Sequence, residues 1–254
     1  MKKICCFGDS YLGALIDGQN AHKVFSKGAV DFYGAAGPYL RHDPLKVTSD
    51  GVYATTEKVA ENFKFTGGKD HFRFKDYDAL VLVGFFARAM PIYSLIDAGR
   101  LWTPPQYYEL SPKHLMITDE FYRKFLLQGA MFKLNLALQI REYFKGDIYV
   151  SQQPFASDAA PLNSKFRKSI PRSVKLQLIE DYWHDNVAFW RERGIEFLQQ
   201  PLETLSEWCF TKHQYCLGSR RIVDNAPHPK NDYGHMNDLY GQIVLQQIKS
   251  RLAS

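Results

Sequence analysis

Five short apolar runs punctuate the chain: "KKICCFG" at 2–8, "AVDFYGAAG" at 29–37, "YDALVLVG" at 77–84, "DIYVSQQP" at 147–154 and "GIEFLQQP" at 194–201. The strongest, at 77–84, carries consecutive branched and long apolar side chains. That pattern suits a strand covered on both faces. The segments between the runs carry a helical period instead. "YLGALID" starts a helix directly after Ser10. Phe121, Phe125, Phe132, Leu136, Ile140 and Tyr143 or Phe144 form one helical stripe. Leu176, Ile179, Trp183, Val187 and Trp190 form another over 173–192, and 203–209 starts a further helix. The last helix, in "NDLYGQIVLQQIKS", is capped by Asn237 and buries Leu239, Ile243, Leu245 and Ile248. Repeated strand–helix alternation predicts a three-layer α/β/α sandwich with a mostly parallel central sheet, one domain over 1–254. Stretches around 40–75 and 88–115 lack a long period, and the second holds four prolines. Both read as excursions that shape a substrate pocket.

Composition narrows the function classes. With 254 residues, 45% of them hydrophobic, the chain can bury a sizeable core. A formal charge of +5 is mildly basic, but no arginine arm or nucleic-acid motif accompanies it, so no nucleic-acid partner is expected. No apolar stretch is long enough to span a membrane, and residues 4–7 are too few for a signal peptide. Cys5, Cys6, Cys209 and Cys216 include no CxxC pair, and adjacent Cys5 and Cys6 suit a buried strand. A cytoplasmic protein with free thiols follows as the expectation.

Two short stretches carry chemistry. "FGDSYL" at 7–12 places Ser10 between a strand and a helix, and "DYGH" at 232–235 places Asp232 and His235 just before the last helix. A serine hydroxyl is a weak nucleophile until a histidine accepts its proton and a carboxylate orients that histidine. A turn with the Asp232–His235 spacing can set a carboxylate against one imidazole nitrogen and aim the other at a serine. The plainer alternatives are a Ser10 helix cap and a surface turn in which Asp232 caps backbone amides.

In these two motifs, in their order and at opposite ends, the chain resembles the SGNH/GDSL hydrolase superfamily. The resemblance implies a flavodoxin-like fold, Ser10 as nucleophile, Asp232 as acid and His235 as base, with no cofactor or metal. It also implies an oxyanion hole built from the Ser10 amide and a glycine after the second strand, with Gly34 and Gly37 as candidates. The family places an asparagine two residues after a glycine following its third central strand, but "VLVGFFARAMP" has Phe86 there. Arg88 stands nearby as a replacement donor, an anion-binding group or an ordinary solvent-facing arginine.

The remaining candidates bear on substrate. Lys165, Arg167, Lys168, Arg172 and Lys175 form a basic concentration that is either a solvated helix face or a site for acidic sugars or acyl-CoA phosphates. Tyrosine and tryptophan at 102–108 can stack on a sugar or pack a lid. Asp9 holds the turn beside Ser10, Asp224 and His228 shape the late loop, and His22 and His42 lack metal-ligand spacing. The leading expectation is an ester hydrolase acting on an acylated small molecule or carbohydrate. A carbohydrate O-acyltransferase using acyl-CoA and a noncatalytic glycan- or protein-binding domain are the alternatives.

Overall fold

All five apolar runs become strands of one sheet: β1 (Ile4–Gly8), β2 (Val30–Gly34), β3 (Ala79–Val83), β4 (Asp147–Ser151) and β5 (Glu196–Leu198). They lie side by side in the order β2-β1-β3-β4-β5, and every pairing is parallel. This is the flavodoxin-like order, in which ligands bind beyond the carboxyl ends of the strands where the winding reverses, here at β1 and β3. The computed structural model describes residues 2–40, 44–85, 100–101, 115–116, 118, 120–121, 131–160, 172–206 and 210–253.

Alternation along each strand feeds two cores. Cys5, Phe7, Leu80, Leu82, Ile148 and Val150 face one side. There they meet α2 (Glu57–Gly67) through Val59 and Phe63, α3 (Met131–Tyr143) through Ala137 and Ile140, and α4 (Arg172–Arg191) through Ile179, Trp183 and Trp190. Ile4, Cys6, Ala79, Val81 and Val83 face the other side, covered by Leu12 and Leu15 of α1 (Leu12–His22) and by Tyr240, Val244, Leu245 and Ile248 of α5 (Asp238–Ala253). The three-layer sandwich is therefore present, with each fully buried aliphatic side chain contributing about 1.5–3 kcal/mol. Burial also pushes the Cys5 and Cys6 thiols well up, which keeps them protonated and unreactive.

Several expectations need correction. The 203–209 segment does not start an α-helix: Leu202–Thr204 make one 3-10 turn, and Leu205–Ser206 then pair antiparallel with Phe210–Thr211. Buried Thr204 turns its hydroxyl back to Pro201 O at 2.7 Å and accepts Gln200 Nε2 at 2.9 Å, which spends this stretch on a local turn. Phe121 and Leu239 are exposed, at 52% and 43%, and Phe144 rather than Tyr143 enters the core. In α5 Leu245 and Ile248 are buried as expected and Ile243 packs partly buried against the core, but Tyr240 and Val244 join the inward row and Leu239 does not. The 40–75 excursion contains an antiparallel sheet of Leu45–Val47, Gly51–Ala54 and His71–Arg73 with α2 inserted. Most of 88–115 lies outside the described residues, apart from Arg100–Leu101 paired with Leu115–Met116.

The first and last helices touch backbone to backbone. A Cβ on Gly241 of α5 would fall 1.7 Å from Ala14 O, and one on Gly18 of α1 would fall 2.5 Å from Gln242 N. His22 Nε2 adds a 3.1 Å contact to Asp238. Gly241→Ala is therefore expected to push the helices apart and cost about 3 kcal/mol, as overpacking of a tight core does. Urea unfolding measures this, and a loss below about 0.5 kcal/mol would show that the two helices separate freely.

Candidate active site

The turn after β1 is built by Asp9. Its Oδ1 accepts the Tyr11 amide at 3.2 Å, while its carbonyl accepts the Leu12 amide at 2.9 Å and opens α1. Ser10 sits inside this turn, half-buried, at the carboxyl end of the sheet. Its hydroxyl does not cap α1, whose N-cap position is Tyr11 in helical conformation with no side-chain cap. Instead Ser10 Oγ lies 3.0 Å from His235 Nε2.

His235 reaches that position on a loop fixed from several directions. Ser157 N–H donates to Tyr233 O at 2.8 Å, and Asn237 Nδ2 donates to Gln214 O and Leu217 O at 2.8 and 3.0 Å. Asn237 Oδ1 accepts the Tyr240 amide at 3.2 Å, so it caps α5 as the sequence predicts. Inside the loop, Asp232 Oδ1 accepts the Gly234 and His235 amides at 2.9 and 3.0 Å. Asp232 Oδ2 accepts His235 Nδ1–H at 2.8 Å. One carboxylate therefore does both jobs considered from sequence: it caps backbone amides and orients the imidazole. Burial by itself raises the Asp232 carboxyl, but the two amides and the His235 ring outweigh it and hold it below the usual carboxylate value. Ser10, His235 and Asp232 thus form one continuous hydrogen-bonded chain.

His228, assigned by sequence to the late loop, lies beside this chain. It does not pair with Asp224, which instead binds Arg221 at 2.6 Å. Its Nδ1 lies 3.1 Å from Asp232 Oδ2, and its ring stacks on His235 with centroids 4.0 Å apart and planes 9° from parallel. Tyr11 also stacks against His235, at 5.3 Å. Ionised Asp232 offers acceptors alone, which favours the His228 tautomer with its proton on Nδ1. Burial first, then neighbouring His235, pushes His228 below its ordinary 6.5. The unfolded chain therefore binds this proton first as pH falls, and the stability gained from neutral His228 is present above about 6.5 and lost below it. Thermal melts at pH 7.5 and 5.5 should show a larger drop for the native sequence than for His228→Asn. A difference of about 2–4 °C corresponds to one kcal/mol in a domain of this length. Equal drops would remove His228 as the source.

His228, Asp232 and His235 also bring donor atoms within 4.8 Å of one another, the spacing of a metal cluster. Imidazole lone pairs lie in the ring planes, and two nearly parallel planes 4.0 Å apart cannot both aim at one ion. The arrangement suits shared protons.

A second network lies at the same end of the sheet. Asp9 Oδ2 accepts Lys133 Nζ, from α3, and Lys133 Nζ also donates to Gly84 O. Gln153, after β4, donates to Gly84 O at 3.1 Å. Gly84 has φ +72°, and a Cβ there would fall 2.1 Å from Asp9 Oδ1, so the position admits glycine alone. Of the two glycine candidates for an oxyanion hole, Gly34 is corrected: its amide donates to Thr66 Oγ1 at 3.0 Å and is not available. The Ala35 and Ala36 amides are also engaged, with Gly8 O and Asn62 Oδ1. The Gly37 and Ser10 amides have no hydrogen-bond partner among the described residues. Arg88, Lys165, Arg167 and Lys168, together with Phe86 and His42, lie outside the described residues.

No protein-family model matches the chain, and no curated protein does. Among solved structures, it resembles a Bacteroides fragilis protein named as an inferred acylhydrolase, at 10% identity and TM-score 0.47, over 99% of this chain and 86% of that one. A GDSL-like lipase of Bacteroides thetaiotaomicron aligns at 11% identity and TM-score 0.45, over 99% and 88%. A gut microbial diltiazem-metabolizing enzyme aligns at 13% identity and TM-score 0.37, with this chain spanning 48% of it. At these scores the likenesses carry no part of the functional reading, which rests on the residues themselves.

Proposed function

We propose that the protein is a serine-dependent ester hydrolase of the SGNH/GDSL type, with Ser10 as nucleophile, His235 as general base and Asp232 as its orienting acid. The observation that carries this reading is the unbroken run from Ser10 Oγ to His235 Nε2 at 3.0 Å and from His235 Nδ1 to Asp232 Oδ2 at 2.8 Å. Both contacts lie within the range a general base needs for proton transfer.

Ser10 Oγ attacks the ester carbonyl while His235 Nε2 takes its proton. The carbonyl oxygen becomes an oxyanion facing the unengaged Ser10 and Gly37 amides. Imidazolium His235, stabilised by Asp232, returns the proton to the departing alkoxide and leaves an acyl group on Ser10. Water then enters, loses a proton to His235 and releases the carboxylic acid, which restores the hydroxyl.

Within this class we place the acyl group on a sugar hydroxyl. The support is the sequence resemblance together with the aromatic residues at 102–108 and the basic residues at 165–168, which lie outside the described residues. Aryl esters of increasing acyl length and O-acetylated oligosaccharides are to be compared while intact protein mass is followed. Hydrolysis with a transient acyl adduct supports the esterase. An adduct that is discharged to an added sugar rather than to water identifies a transferase. Absence of turnover and of fluorophosphonate labelling across the panel overturns the catalytic reading.

A further inference from the structure

An oxyanion needs donors whose direction is fixed before reaction, and a neutral amide pair is a modest set for a full negative charge. The carboxyl ends of three adjacent strands meet at the Asp9 carboxylate. Asp9 itself follows β1, Gly37 follows β2 with its Cβ position 4.0 Å from Asp9 Oδ2, and Gly84 follows β3. Lys133 enters this junction from α3, and two of its three N–H groups are held by Asp9 Oδ2 and Gly84 O. The third has no partner among the described residues. The Lys133 side chain keeps 20% exposure where Asp9 keeps 3%, so the ammonium sits at the edge of the buried turn rather than inside it.

We propose that Lys133 is a further catalytic residue, donating its remaining N–H to the oxyanion that forms on the Ser10 adduct, beside the Ser10 and Gly37 amides. This rests on the ester-hydrolase reading. Asp9 and Gly84 act as positioning groups: by fixing two hydrogens of the ammonium they fix the third. Asp9 adjoins the nucleophile in the chain, so its carboxylate ties the lysine to the same turn that presents Ser10. The competing explanation is that Lys133 merely neutralises a buried carboxylate. That explanation requires a charge balance and nothing of the third hydrogen.

The test separates the two by removing both charges together. Asp9→Asn/Lys133→Met leaves no unpaired buried carboxylate, keeps an oxygen for the Tyr11 amide, and is compared with the native protein. Oxyanion donation by Lys133 makes kcat of the double variant about 100-fold lower than native, at KM within about threefold, because a lost donor acts in the transition state. Native-like kcat in the folded double variant, the result that charge neutralisation alone requires, overturns the proposal.

A second measurement uses the native protein and does not depend on how the variants fold. A fluorophosphonate places a phosphoryl oxygen on Ser10 where the oxyanion would sit, and acetylation of Lys133 by an amine-directed reagent is then quantified by peptide mass spectrometry. Phosphonylation is expected to slow Lys133 acetylation about tenfold, the 1.4 kcal/mol scale of one engaged hydrogen bond. Unchanged acetylation overturns the lysine assignment. A native protein that neither hydrolyses esters nor takes the phosphonate overturns the hydrolase reading instead, so the two failures are distinct.

Discussion

Ser10→Ala is expected to lower kcat for ester hydrolysis by about 10⁵-fold and to abolish the acyl adduct, while the unfolding midpoint stays within about 2 °C of the native value. The hydroxyl contacts His235 Nε2 and caps no helix, so its removal takes away a nucleophile and no structural hydrogen bond of α1. The Asp9 turn is made by the Asp9 side chain and by backbone groups, which alanine retains. Activity loss with full stability distinguishes a nucleophile from a cap, because replacing an N-cap serine by alanine costs about 1 kcal/mol. Kinetics on a p-nitrophenyl ester, with intact mass and a thermal melt on the same sample, make the measurement. A variant keeping more than about one tenth of native kcat would overturn the assignment of Ser10.

Asp232→Asn should lower kcat by about 10⁴-fold with little change in KM. The Oδ1 side already accepts the Gly234 and His235 amides, so an asparagine keeps its carbonyl oxygen there and turns its NH₂ toward the two imidazoles. That NH₂ then meets Nδ1 of both His235 and His228 as a donor, where Asp232 Oδ2 was an acceptor. His235 must move its proton to Nε2, which faces Ser10, and it can no longer accept the serine proton. Asp232→Ala is the useful contrast, since it removes the two amide acceptors as well and should also lower the melting temperature. Comparable kcat in native and Asp232→Asn proteins would show that His235 needs no fixed tautomer.

How legible this was in sequence depends on how local each determinant is. The five strands could be read because both faces of the sheet are covered and each strand is mostly apolar, most completely in Ala79–Val83. Ser10, Asp232 and His235 stand in short contiguous motifs, and the structure brings them together. The Gly34 and Gly37 alternatives could not be separated locally, because the Gly34 amide is taken by Thr66, 32 residues away on α2. Lys133 gave no signal, since one lysine beside an apolar helical stripe reads as a solvent-facing residue. It acquires a role through Asp9, 124 residues distant. His228 was placed in the late loop by sequence, but its partner there was not legible. Pro227 and Pro229 prevent the helix that would pair it with Asp224, and the turn brings His228 to Asp232 instead.

Ser10 and His235 stand 225 residues apart in the chain and meet where the turn before α1 faces the loop before α5. Closing so long a loop is among the entropically costly contacts a chain can make. The site is therefore complete only when the two ends of the chain have met. A chain ending before Asp232 would carry Ser10 without either of the two side chains that line up behind it. Under the proposed hydrolase reading, the onset of ester cleavage during refolding is expected to report when the C-terminal loop docks on the first turn, an event that backbone spectroscopy averages with every other helix.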